Sequence, residues 1–216
     1  RDELRNRIER WEQAGFYFKQ ELILRCVNTV TTGEAFFSAL SQRASSEIQD
    51  GLQRAEKHID TLLNTLSARL GLDHDRVLGS RYSIPLMVRL LEEKGGSLEP
   101  SERERLLYWY IHTFLWGRYA GATETGLNQD LYAINDADDP IGNLIDRLRT
   151  SRGDLQLRPE DFRGSSRGAR FYPMIYMMTR VAGACDWRTG LELRQFLLGK
   201  QSNLQLHHIF PKSKLY

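Results

Sequence analysis

The sequence predicts a mainly α-helical fold that closes on a short β-strand, and three observations carry that reading. Apolar residues recur at helical spacing through most of the first 200 positions. Capping residues, first-turn prolines and stop glycines punctuate those stripes. Beyond Gly199 the period falls to two, with Leu204, Leu206 and His208 alternating ahead of Pro211. The implied division is a helical linking domain over residues 1–200 and the start of a second, strand-initiated unit over 201–216. With 41% of its 216 residues apolar, the chain has ample material for a core.

The helices follow in order. Over residues 2–30, Leu4, Ile8, Trp11, Phe16, Phe18, Leu22 and Cys26 stand at broadly helical spacing between charges. TTGEAFFSALSQ predicts a shorter helix with Thr31 or Thr32 as its cap. Residues 46–70 hold the cleanest stripe, from Ile48 through Ile59 to Leu70, and Gly71 supplies the stop. In IPLMVRLLEEKGG, Pro85 lies in the first turn and Gly95-Gly96 follow the end. PSERERLLYWYIHTFLWGRY offers Ser101 and Glu104 as a capping box before a 14-residue, mostly apolar run from Leu106 to Tyr119. A membrane span needs about 20 such residues, so this run is expected to be the central buried helix, with His112 as a core histidine. Asp139 and Pro140 are the cap and first residue of the next helix. RFYPMIYMMTRVAGA and DWRTGLELRQFLLG predict the last two, the second capped by Asp186.

Several function classes lose support. Cys26 and Cys185 lack the CxxC partners of a zinc or redox site, and both are expected to be buried thiols. His58 and His74 have no ligand-like neighbours at helical spacing and are expected on the surface. Tyr172, Met174, Met177 and Met178 form a stripe of the kind that packs a core. There is no glycine-rich phosphate loop, internal repeat, basic-plus-apolar leader or membrane-length apolar run. These features point to an internal piece of a cytoplasmic protein with no membrane contact.

Charge is divided unevenly. The net +2 separates into 17 Lys/Arg against 22 Asp/Glu over residues 1–139 and 13 against 6 over 140–216. A basic surplus confined to one end is a pointer to nucleic acid, with a solvated basic face as the competing reading. RPEDFRGSSRGARFY concentrates Arg158, Arg163, Arg167 and Arg170 around two Gly-Ser stretches. Guanidinium forks on such a loop suit phosphate oxygens, because each can donate two hydrogen bonds to one phosphate. A solvated connector is the alternative.

The chain closes on NLQLHHIFPKSKLY, which sets His207 beside His208 among only five histidines. Neighbours on a strand point to opposite faces, so both can serve one site only where the strand ends or bends, as Pro211 would make it do. The string LHHIFPKS resembles the first strand of the HNH, or His-Me finger, nuclease motif. More closely, the segment is similar to the join between helical region and C-terminal nuclease in the GmrSD-type modification-dependent restriction endonucleases, which act in bacterial phage defence. Residues 108–131 and 186–196 resemble the same proteins.

The resemblance implies metal-dependent phosphodiester hydrolysis. His208 takes the general-base position, His207 that of a ligand to Mg²⁺ or Mn²⁺, and Arg163, Arg167, Arg170 and Lys212 are the candidate DNA contacts. Neutral imidazole suits the base role because its ordinary pKa lies near neutrality, while the cation would stabilise the leaving oxygen. The family's base-orienting Asn and last metal ligand lie on a second strand and helix that residues up to Tyr216 do not include. One protein ligand makes no competent metal site, so this chain alone is expected not to cut DNA. Its implied partners are DNA, phage-modified DNA included, a nucleotide-hydrolysing domain of the same parent chain or a partner subunit, and a second copy in a homo-oligomer. Two further readings remain open: a DNA-binding helical module, and a structural domain that couples a nucleotide-hydrolysing domain to a nuclease.

Overall fold

In the computed structural model, which describes residues 2–162, 171–187 and 189–193, the first apolar stripe folds as two helices. Helix α1 (Asp2–Gln13) ends where Gly15 adopts φ 93°, a left-handed conformation that glycine takes without a Cβ penalty. Phe16 and Phe18 then turn inward against Trp11, whose Nε1–H donates to Asp60 Oδ1 at 2.7 Å. Helix α2 (Gln20–Thr32) follows. Thr31 and Thr32 are therefore its last residues and cap no following helix; Gly33, at φ 77°, is the C-cap, and the next helix, α3 (Phe37–Leu40), is a single turn. The strong period of residues 20–32 simply runs on until a glycine ends it.

Helix α4 (Ser45–Leu70) matches its stripe, with Glu47 accepting from the Ala44 N–H and Gly71 at the stop. Helix α5 (Ser83–Glu93) buries eight of its eleven residues, so it lies at the centre of the first half, against α2 and α4. Helix α6 (Pro100–Leu115) begins two residues earlier than the Ser101 box requires. The reciprocal cap is Glu99 with Glu102, whose carboxylate accepts from the Glu99 N–H at 3.2 Å, and Pro100 occupies the first helical position. The helix stops at Leu115, and Gly117 at φ 64° turns the chain away.

Helix α7 (Thr123–Ile134) carries no strong sequence signature but packs on α8 (Pro140–Arg152) and α5. Asp139 caps α8 by accepting from Gly142 N–H at 3.0 Å, and Pro140 opens it, as expected. Helix α9 (Tyr172–Val181) packs across α4; Met177 is buried, Tyr172 and Met174 are partly buried, and Met178 is exposed, so the stripe is core on one side only.

DWRTGLELRQF is not a helix as far as the described residues run. Cys185 and Glu192 form an antiparallel bridge, and Asp186 accepts from Thr189 N–H at 2.8 Å, so its carboxylate caps a tight turn. Thr189-Gly190 permits that reversal, Gly190 sitting at φ 68°. The thiols divide as well: Cys26 is buried as expected, whereas Cys185 is exposed at the bridge. The expected terminal strand over 201–216 lies outside the described residues. No helix among the described residues is long and apolar enough to cross a membrane.

Candidate functional site

His207, His208, Lys212, Arg163, Arg167 and Arg170 all lie outside the described residues, so the structure neither groups nor separates them. What it does place is the ground from which the arginine loop departs. Helix α8 ends in Arg147, Arg149 and Arg152, and the chain continues through exposed Arg158 to a 3₁₀ turn at Pro159–Phe162.

Those arginines differ in what holds them. Arg147 Nε donates to Asp130 Oδ1 at 2.8 Å, and Arg118 grips the same carboxylate with two bonds, at 2.9 and 2.6 Å. The Tyr119 hydroxyl adds a fourth at 3.0 Å. Asp130 is 1% exposed, so this is a buried carboxylate shared by two guanidiniums, and it ties α8 to α7 and to the turn after α6. Burial first, then the neighbouring carboxylate, pushes the Tyr119 hydroxyl far above its ordinary pKa, so it stays a donor. Arg152 stacks over Trp116 at 4.3 Å, and Arg149 pairs with Asp146 at 3.0 Å on the surface. Arg158 has no side-chain partner among the described residues; its backbone N–H donates to Asp161.

Beside these arginines is a cavity of about 500 Å³ between α6 and the segment after α8, lined by Tyr108, His112, Arg149 and residues 153–157. His112 is buried, as its sequence setting implies, but only one ring nitrogen has a partner among the described residues. Trp116 Nε1–H donates to His112 Nδ1 at 2.9 Å. Indole is a donor only, so Nδ1 must be the acceptor and the proton of the neutral ring sits on Nε2. Burial lowers the His112 pKa and favours that neutral form.

A second buried histidine corrects the surface expectation. His58 is buried on α4, with Nε2 2.7 Å from Glu92 Oε2, and Arg54 bonds the other Glu92 oxygen. Its Nδ1 is buried without a hydrogen-bond partner. Burial raises the Glu92 pKa, but the bonds from His58 and Arg54 outweigh it and leave the carboxyl below its ordinary value. His74 is likewise only partly exposed, its Nδ1 accepting from Arg76 N–H at 3.1 Å. The charge-rich sequence context around both residues reads as surface, because Glu92 lies 34 positions from His58, and Gly15, whose carbonyl accepts from the Asp75 N–H beside His74, is far away in the chain.

No group of three or more His, Cys, Asp or Glu side chains suited to a metal occurs among the described residues. Sequence reasoning had singled out His112 but not the neighbours that make a cavity of it, since Tyr108 and Gln156 are 48 positions apart in the chain. No family model, curated protein or solved structure matches the chain.

Proposed function

We propose that the chain is the helical platform of a bacterial HNH-type DNA endonuclease of the GmrSD-like kind, binding DNA through its arginine-rich C-terminal part. The observation that carries the reading is the string LHHIFPKS, set behind a helical body in a region with 13 Lys/Arg against 6 Asp/Glu. In this reading His208 is the base that takes a proton from the attacking water, His207 is one ligand to Mg²⁺ or Mn²⁺, and Arg163, Arg167, Arg170 and Lys212 hold backbone phosphates. The helical body supplies a mount: Asp130 fixes α8, and residues 153–162 carry the chain from its end to the loop.

Each phosphate neutralised releases counterions, so duplex affinity should fall steeply with salt. Fluorescence anisotropy on a labelled duplex should show that slope, and Arg163→Ala, Arg167→Ala and Arg170→Ala together should reduce it by about three. A chain with no duplex affinity at low salt, or a triple variant with wild-type affinity and slope, overturns the DNA reading. In a plasmid assay with Mg²⁺ or Mn²⁺, this chain by itself should be inert; cleavage that persists in His208→Ala would remove the histidine pair from the chemistry.

A second reading, coupling to another polypeptide segment, is favoured by exposed Met178, Val181, Trp187 and Leu191 near α9. Light scattering tests it: an obligate assembly without DNA affinity would put coupling first.

A further inference from the structure

We propose that the cavity between α6 and residues 153–157 is a nucleobase-binding site, taking the base of a nucleotide or of an unstacked DNA strand. Its volume, about 500 Å³, falls inside the range of about 300–1,000 Å³ that small-ligand sites occupy. The lining combines what a base needs. Tyr108 lines the cavity and is 41% exposed, its ring centroid 4.4 Å from that of His112, so aromatic surface remains on which a base can stack. Leu155 and Leu157 give an apolar wall.

Polar groups of the right kind meet that face. The Trp116 bond fixes the His112 tautomer and leaves Nε2–H as a donor with no partner among the described residues. The Gln156 side chain, exposed at the rim and also without a partner among the described residues, supplies one acceptor and two donors, a combination that reads base edges. Its backbone is held by Asp154, which accepts from Gln156 N–H at 3.0 Å, while Gly153 at φ 81° turns the chain off α8.

A bare phosphate fits less well. Arg152 is committed to the Trp116 face and Arg149 to Asp146, and Asp154 adds a carboxylate to the lining. Neutral His112, an amide and a tyrosine ring recognise a heteroaromatic edge and face better than an anion. Where the base comes from a DNA strand, the inference rests on the DNA reading above; for a free nucleotide it stands alone.

The test is calorimetric titration of the full chain with the four deoxynucleoside 5′-monophosphates, and with deoxyribose 5-phosphate as the base-free probe. At least one nucleotide should bind and the base-free probe should not. Tyr108→Ala should weaken binding about tenfold, the usual worth of a stacked base, and Gln156→Ala should change the preference among bases. Both side chains are at the surface, so the melting temperature should stay near that of the wild type. Equal binding of deoxyribose 5-phosphate, no nucleotide binding, or wild-type affinity in both variants overturns the proposal. A duplex with one unpaired base, compared with its fully paired counterpart, separates the two sources: preference for the unpaired base assigns the site to strands, and none assigns it to free nucleotides. Duplex affinity through the arginine loop is a separate readout, so the DNA reading can stand or fall without the cavity.

Discussion

Replacing Asp130 with alanine should destabilise the protein by about 4 kcal/mol. The carboxylate is 1% exposed and accepts four hydrogen bonds, two from Arg118, one from Arg147 and one from the Tyr119 hydroxyl. Arg118 is 14% exposed, so its charge cannot recover full hydration when the partner goes. Breaking such a buried pair from one side costs about 3–5 kcal/mol, and an unpaired buried hydroxyl adds about 1–3 kcal/mol before relaxation. Arg147, 37% exposed, turns to solvent and adds little. Urea unfolding followed by circular dichroism measures the loss. In a chain this long a loss of about 4 kcal/mol lowers Tm by about 8–16 °C. Arg147→Met is the control, at about 1 kcal/mol or less. A loss below about 1 kcal/mol for Asp130→Ala, with an unchanged urea slope, would refute the idea that this carboxylate holds α7 and α8 together.

Three further outcomes follow from other parts of the fold. Gly79→Ala drives a new Cβ into Phe114, which is buried and backed by Tyr110, so stability should fall by about 1–3 kcal/mol by overpacking; a neutral variant would mean that Phe114 moves freely. Glu92 has its pKa held below the ordinary 4.5, so the unfolded chain takes up the proton first as acid is added. Its stabilising contribution is whole above pH 4.5 and is lost as the pH falls through the lower folded value. Glu92→Gln should therefore flatten the acid side of the stability curve, and a wild-type slope in that variant would count against the His58–Arg54 clasp. Exposed Cys185 should react with Ellman's reagent at once and buried Cys26, its thiol pKa pushed up by burial, only on unfolding. Two fast thiols would contradict the packing of α2 in the core.

Signals that act within a turn or two are legible in the residues themselves. Gly71 after the 46–70 stripe and Asp139-Pro140 ahead of α8 gave a helix end and a helix start that the structure retains. Two of the differences arise where local signals compete, whereas burial of His58 and exposure of Cys185 turn on residues or turns outside any local window. Thr31-Thr32 looked like a cap because the sequence pattern does not show that α2 is still running, and Asp186 looked like a helix cap when its carboxylate closes a turn within an antiparallel bridge.

The sequence by itself determined the helical class, some helix boundaries such as the end of α4 and the start of α8, the uneven charge, and the terminal histidine string that frames the proposed chemistry. Only the tertiary structure decided which polar residues are buried together. Asp130 meets Arg118 and Arg147 across two loops, His58 meets Glu92 from the next long helix, and Tyr108, His112 and Gln156 converge on one cavity. Such groupings depend on how helices cross, and crossing is set by the summed packing of many apolar side chains. No short window of sequence contains that sum, so the cavity became visible only once α6 and the chain beyond α8 were in place.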